Sequence, residues 1–195
     1  MNEILDSEEE QRSIAQNILE DLKLLELWRQ FGEPYLVGAM TYRLMVAPDI
    51  DIEIYCPGNP RIEDGFEVLK ACACNSRVRR ARFSNHMDDA DQGYYWMLRY
   101  DVPGGEQWKI DMWSMRFDHP GPTSCKLVEP LCRVLTDEAR VIILTLKKAL
   151  LAEPGLACPS IFIYQAVLEG GVNSLDEFLG WRKSHPWQGL THWSP

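Results

Sequence analysis

The sequence predicts an α+β protein: a mixed β-sheet with helices on one face, followed by a small C-terminal helical unit. Three observations lead there. Ile50-Asp51-Ile52-Glu53-Ile54-Tyr55 alternates apolar, mostly β-branched, and polar residues at the two-residue period of a half-buried strand. Three more strand-like stretches follow it, Val78 to His86, Tyr94 to Val102 and Trp108 to Met115. Apolar residues at three- and four-residue steps flank this β-rich centre on both sides.

Taken in chain order, Ser7 to Phe31 places Ile14, Ile18, Leu22, Leu25 and Trp28 on one helical face, and Gly32 supplies a stop. The run Glu8-Glu9-Glu10 sits in the first turns, where carboxylates suit the positive end of the helix dipole, so it needs no functional explanation. Tyr35 to Ala39 reads as a short apolar strand. Met40 to Pro48 reads as a turn or short helix, closed because Pro48 disfavours helix at Ala47. After the alternating strand, Pro57-Gly58-Asn59-Pro60 is a turn and Arg61 to Ala73 returns to helical spacing. Pro103-Gly104-Gly105 marks a hairpin-like turn between the last two strands. Thr136 is the expected N-cap of a helix reaching Glu153, and Ile161 to Leu168 and Ser174 to Lys183 are two further helices. The expected organisation is an N-terminal helix over 1–32, a central core over 33–133 and a helical unit over 134–195 that closes a cleft.

The 195 residues carry 29 acidic and 20 basic side chains, a formal charge of −9. That balance repels phosphate backbones over most of the surface and argues against general nucleic-acid binding, while leaving room for a local basic site. Composition is that of a soluble globular chain, with 46% hydrophobic and 25% charged residues. No apolar run approaches the roughly 20 residues needed to span a bilayer. The N-terminus lacks the basic-then-apolar pattern of a signal peptide, so the expected location is the cytoplasm, with no membrane partner. The six cysteines then read as reduced, small core residues; Cys72 and Cys74 form a C-x-C pair that no second pair or nearby histidine extends to a zinc spacing. His86, His119, His185 and His192 are scattered without metal or nucleophile spacing and receive no role. Trp96, Trp108 and Trp113 lie on candidate strands, where core packing is the default and stacking on a base the alternative.

The chemistry concentrates on three aspartates. In Asp49-Ile50-Asp51-Ile52 the isoleucines share one strand face and the carboxylates the other, with Asp49 and Asp51 about 6.6 Å apart along the strand. Their mutual repulsion is poorly relieved without a cation. A bare D-x-D on a solvated strand is an ordinary surface feature, but here a strand ending at Gly38 precedes it by eleven residues, and a turn there would aim backbone N–H groups at the same place. Lys109-Ile110-Asp111-Met112-Trp113 repeats the pattern of an aspartate between apolar strand residues. If the two strands are neighbours, three carboxylates converge as hard oxygen ligands suited to Mg²⁺.

Gly38-Ala39, Asp49-x-Asp51 and the apolar-Asp111-apolar strand together resemble the signature of the DNA polymerase beta-type nucleotidyltransferase superfamily, over about residues 33 to 115. The resemblance implies a nucleotidyltransferase core and Mg²⁺-dependent transfer of a nucleoside monophosphate to a hydroxyl, with ATP the default donor and AMP the group moved. It implies that Asp49, Asp51 and Asp111 are catalytic and hold one or two Mg²⁺ ions. A nucleoside triphosphate would contact the turn at Gly38, Ala39 and Thr41, then Arg43, and Lys147 or Lys148 on the capping helix. Glu53 extends the acidic face further from the metal end, as a supporting or solvent-facing residue. Ala39 stands where the family has serine or glycine, which removes a phosphate-contacting hydroxyl that Thr41 or the backbone amides would have to replace. The acceptor, a small molecule or a protein side chain, is not specified. Two alternatives stand beside this reading: a non-catalytic nucleotide- or partner-binding relative, and an α+β protein whose three aspartates never meet.

Overall fold

The structure, a computed structural model, describes residues 3–187, 189 and 191–195. Its order is α1 (Glu3–Leu22), α2 (Leu24–Trp28), β1 (Glu33–Val37), α3 (Gly38–Tyr42), β2 (Asp49–Cys56), α4 (Ile62–Ala73), β3 (Val78–His86), β4 (Gly93–Asp101) and β5 (Gln107–Arg116), then α5 (Cys125–Val134), α6 (Asp137–Ala152), α7 (Ser160–Leu168) and α8 (Leu175–Ser184). The five strands form one mixed sheet in the order β1-β2-β5-β4-β3. Only β2 and β5 pair in parallel; the other neighbours are antiparallel. The α+β class and mixed sheet expected from the sequence are what the chain forms.

Alternation explains why β2 sits near the centre of the sheet. Ile50, Ile52 and Ile54 are at most 1% exposed, and each such burial contributes roughly 1.5–3 kcal/mol. They join Ile110, Met112, Trp96 and Leu98 from the neighbouring strands, and α1, α2 and α4 cover that face through Ile18, Leu22, Trp28, Val68 and Leu69. Buried indoles keep partners for their N–H groups: Trp28 Nε1 donates to Met112 Sδ at 3.1 Å and Trp96 Nε1 to Ser114 Oγ at 2.9 Å. A second apolar cluster gathers α5 to α8 around Leu131, Ile143, Leu146, Tyr164 and Phe178, with Tyr42 and Leu44 from the chain between β1 and β2. Ile4 and Leu5, at the start of α1, pack against this second cluster, so α1 touches both.

Several local expectations change. The single N-terminal helix is two, because Lys23 takes a left-handed backbone (φ 49°) that ends α1. The first strand stops at Val37, and Gly38 and Ala39 begin α3 instead of ending a strand. Helix α5 was not expected; it is short and carries Pro130. Thr136 does cap α6, accepting from Ala139 N–H. All six cysteines are free, but Cys74 and Cys132 are exposed, so the core reading fails for those two.

Candidate active site

Parallel pairing of β2 with β5 sets Asp51 directly beside Asp111 and Asp49 beside Lys109. Residues paired across neighbouring strands share a face, so the three carboxylates that alternation puts opposite the isoleucines come together. One oxygen from each of Asp49, Asp51 and Asp111 lies within 4.8 Å of the others. The possibility that the aspartates never meet is thereby removed.

Such crowding has electrostatic consequences. Burial, then the charges of Asp49 and Asp111, push the Asp51 carboxyl up to about 7. Asp49 is also raised, chiefly by burial, against the pull of Lys109. Lys109 supplies a local cation: its Nζ lies 3.9 Å from Asp49 Oδ1 and pairs closely with Asp111 Oδ2. Tyr95 on β4 donates its hydroxyl to Asp111 Oδ1 at 2.5 Å. Even so, Asp49 Oδ1 is buried with no hydrogen-bond partner among the described residues. Three hard oxygen donors, one of them orphaned, fit a divalent cation such as Mg²⁺.

Gly38 is required by its surroundings. Its φ is +69°, and a Cβ there would overlap the Asp51 carboxylate. Gly38 and Ala39 line a cleft of about 720 Å³ together with Asp49, Asp51 and Lys147. Lys147 reaches the cleft from α6, 7% exposed, donating to the Leu44 carbonyl at 2.7 Å. Burial lowers its pKa to about 8, against the opposing pull of Asp51, Asp49 and Glu8. Lys147 is therefore a buried residue of the cleft and not part of a solvated helix face. Lys148, one residue on, is exposed and lies 3.5 Å from Ser7 Oγ.

Thr41 and Arg43 are not brought to this cleft. Thr41 lines a separate groove with Glu9 and Arg12, and its buried Oγ1 has no partner among the described residues. Arg43 is exposed at the end of α3 in a left-handed conformation (φ 58°). Ala39 and Tyr42, three residues apart, share the helical face toward the cleft, which turns Thr41 away.

No protein family and no curated protein matches this sequence. Solved structures do. A Cid1 poly(U) polymerase variant bound to MgATP superposes with a TM-score of 0.58 at 13% identity, covering 82% of this chain and 50% of that one. CdnC of E. coli MS115-1 with ATP gives 0.53 at 14% identity, covering 91% and 66%. A GLD-2/RNP-8 complex gives 0.51 at 9% identity, covering 94% and 62%. The chain has the polymerase beta-type nucleotidyltransferase fold. It spans about half to two-thirds of the length of these nucleotidyltransferase-fold structures.

From the sequence, no role fell to Lys109, Tyr95 or His119, and those of Glu53 and the tryptophans stayed open. Glu53 is 6% exposed and accepts from Ser124 N–H at 2.7 Å, Cys125 N–H at 2.9 Å and Tyr55 hydroxyl at 2.8 Å. It therefore anchors the start of α5, and the solvent-facing alternative is overturned. Lys109 shares a strand face with Asp111 two residues on, a signal that was present in the sequence. Tyr95 carried no such signal, because only the β4–β5 register brings it near. His119 ties two loops, with Nε2 at 2.8 Å from the Asp91 carbonyl and Nδ1 accepting from Gly121 N–H at 3.0 Å. Trp96 and Trp108 are core residues, whereas Trp113 lies half-buried on the acidic face beside Tyr95.

Proposed function

We propose that this chain is a Mg²⁺-dependent nucleotidyltransferase that moves a nucleoside monophosphate, AMP from ATP as the working case, to an acceptor hydroxyl. The observation that carries the reading is the convergence of the Asp49, Asp51 and Asp111 oxygens within 4.8 Å, with Asp49 and Asp51 at the wall of a cleft that also receives a buried lysine. Likeness to structures described as holding ATP or MgATP supports it. We place this activity in the cytoplasm; none of the described helices is long and apolar enough to cross a membrane.

Asp49, Asp51 and Asp111 would hold one or two Mg²⁺ ions, whose chemistry when bound is to neutralise charge on the triphosphate and on the α-phosphoryl transition state. The chain's own groups do the rest. Gly38 lets the backbone pass against Asp51, so the start of α3 and Ala39 border the phosphates. Lys147 gives the triphosphate a fixed ammonium in a site that water shields poorly, which strengthens the contact. The helices after residue 134 bring that ammonium over the cleft. Asp111 accepts the acceptor's hydroxyl proton on Oδ2, the oxygen that also pairs with Lys109, while Tyr95 holds Oδ1. The acceptor oxygen then bonds to the α-phosphorus, the bond from that phosphorus to the bridging oxygen breaks, and pyrophosphate leaves with its electron pair.

One observation favours the second reading, a non-catalytic binder: Lys109 already places a cation among the carboxylates. Pyrophosphate release separates the two. Asp111→Asn is expected to keep triphosphate binding within about threefold and to lower turnover by about a hundredfold or more, as for removal of a catalytic base. A wild-type chain that binds Mg²⁺-triphosphate yet releases no pyrophosphate with any hydroxyl acceptor would favour the binder.

A further inference from the structure

The sheet face that carries the aspartates continues across β4 and β3, and its chemistry changes sign along the way. Strand registers arrange it in rows. Asp49, Lys109, Arg99 and Arg80 form one row from β2 through β5 and β4 to β3. Asp51, Asp111, Met97 and Arg82 form the next, and Glu53, Trp113, Tyr95 and Ser84 the third. Helix α4, which packs on β3 and β4, lies on the opposite face, where Val68 and Leu69 join Trp96 and Leu98.

Arg80 and Arg82 are exposed and Arg99 half-exposed. Among the described residues none of the three forms a side-chain ion pair, whereas Arg12, Arg79 and Arg116 do. In a chain of net charge −9 such a cluster is unusual, and its cost is visible: Arg80 stands directly opposite Arg99. Like charges facing each other across two strands destabilise the pairing. An anion lying over both would relieve that repulsion. Beside the cluster is an aromatic shelf, with Tyr95 and Trp113 rings 5.1 Å apart and His86 5.3 Å from Trp113.

We propose that this face of β4 and β3 is the acceptor subsite, and that it takes an acceptor with a phosphate near its reactive hydroxyl and a planar ring, a nucleotide in chemical class. This rests on the nucleotidyl-transfer reading, because Asp111 fixes where the hydroxyl sits. Two strand spacings separate β5 from β3, about 10 Å, within reach of one nucleotide unit extending from Asp111 to Arg80 and Arg82. The ring lies on Trp113 and Tyr95. Three guanidinium groups would repel a cationic acceptor such as an aminocyclitol, which excludes that class.

The test uses the full chain with the donor cleft filled by Mg²⁺ and a non-hydrolysable analogue of whichever triphosphate binds. Adenosine, AMP and a fluorescein-labelled single-stranded oligoribonucleotide are then titrated against wild type and Arg80→Glu/Arg82→Glu. The expected result is binding of AMP or the oligoribonucleotide, but not adenosine. The double variant should weaken that binding about tenfold or more and, for the oligoribonucleotide, lower the slope of log affinity against log salt by about 1.4, with circular dichroism unchanged. An oligoribonucleotide much tighter than AMP identifies a strand end as the source of the phosphate; equal affinity identifies a free nucleotide. The inference is overturned if the phosphorylated probes bind no better than adenosine, or if the double variant binds them as tightly as wild type. Donor binding is read separately: its absence would overturn the nucleotidyl-transfer reading itself, whereas donor binding without acceptor binding overturns this inference alone.

Discussion

At the scale of single residues, the site stores its tension in Asp51. Its carboxyl titrates near 7 because burial and two neighbouring carboxylates oppose its charge. Below about pH 4 both the folded and unfolded chains hold this proton. Between there and about 7 the folded chain keeps a proton that the unfolded chain has lost, so stability falls as pH rises, and above about 7 the loss is complete. In EDTA the melting temperature of wild type is expected to fall, relative to Asp51→Asn, between pH 4 and 7. Adding Mg²⁺ at pH 7 should then raise the wild-type value and leave the variant where it was. A difference between the two proteins that stays flat with pH would contradict the crowded-carboxylate account. Residue-scale legibility followed the range of the interactions. The aspartates were readable because strand alternation is local, whereas Tyr95 reaches Asp111 only through the register of two strands sixteen residues apart. Thr41 and Arg43 were assigned to the phosphates by proximity to Gly38, and a five-residue helix then turned them elsewhere.

At the scale of elements, β2 does two jobs with one polar face. Its first two acids meet Asp111, and the third, Glu53, holds the first amides of α5, so the strand that presents the carboxylates also fixes the loop forming the cleft wall at Thr123 and Ser124. Glu53→Ala leaves two backbone N–H groups and the Tyr55 hydroxyl without their acceptor. The expected cost is about 1–3 kcal/mol in urea unfolding, with Glu53→Gln intermediate. Unchanged stability in Glu53→Ala would show that α5 is positioned by its apolar face alone. Strands β2, β4 and β5 and helices α4 and α6 were legible because each has a continuous apolar period. Helix α5 was not expected because Pro130 stands inside it, where proline ordinarily ends a helix, although its apolar residues are strongly one-sided. The break at Lys23 was hidden for the opposite reason: apolar spacing runs through it undisturbed, and nothing in that spacing marks a left-handed backbone.

At the scale of the whole molecule, two apolar clusters flank the cleft. One is built on the sheet and the other on α5 to α8, and between them the ammonium of Lys147 on α6 feels the charges of Asp51 and Asp49 on β2. Each half carries charge that burial disfavours, carboxylates on one side and an ammonium on the other, and a metal-bound triphosphate between them complements both. One titration tests this complementarity most directly: ATP, GTP, CTP and UTP measured by calorimetry with and without Mg²⁺, on wild type and on Asp49→Asn/Asp51→Asn. The predicted result is that at least one triphosphate binds wild type only when Mg²⁺ is present and that the double variant loses this binding while remaining folded. Failure of every triphosphate to bind, or binding indifferent to both Mg²⁺ and the two substitutions, would contradict it.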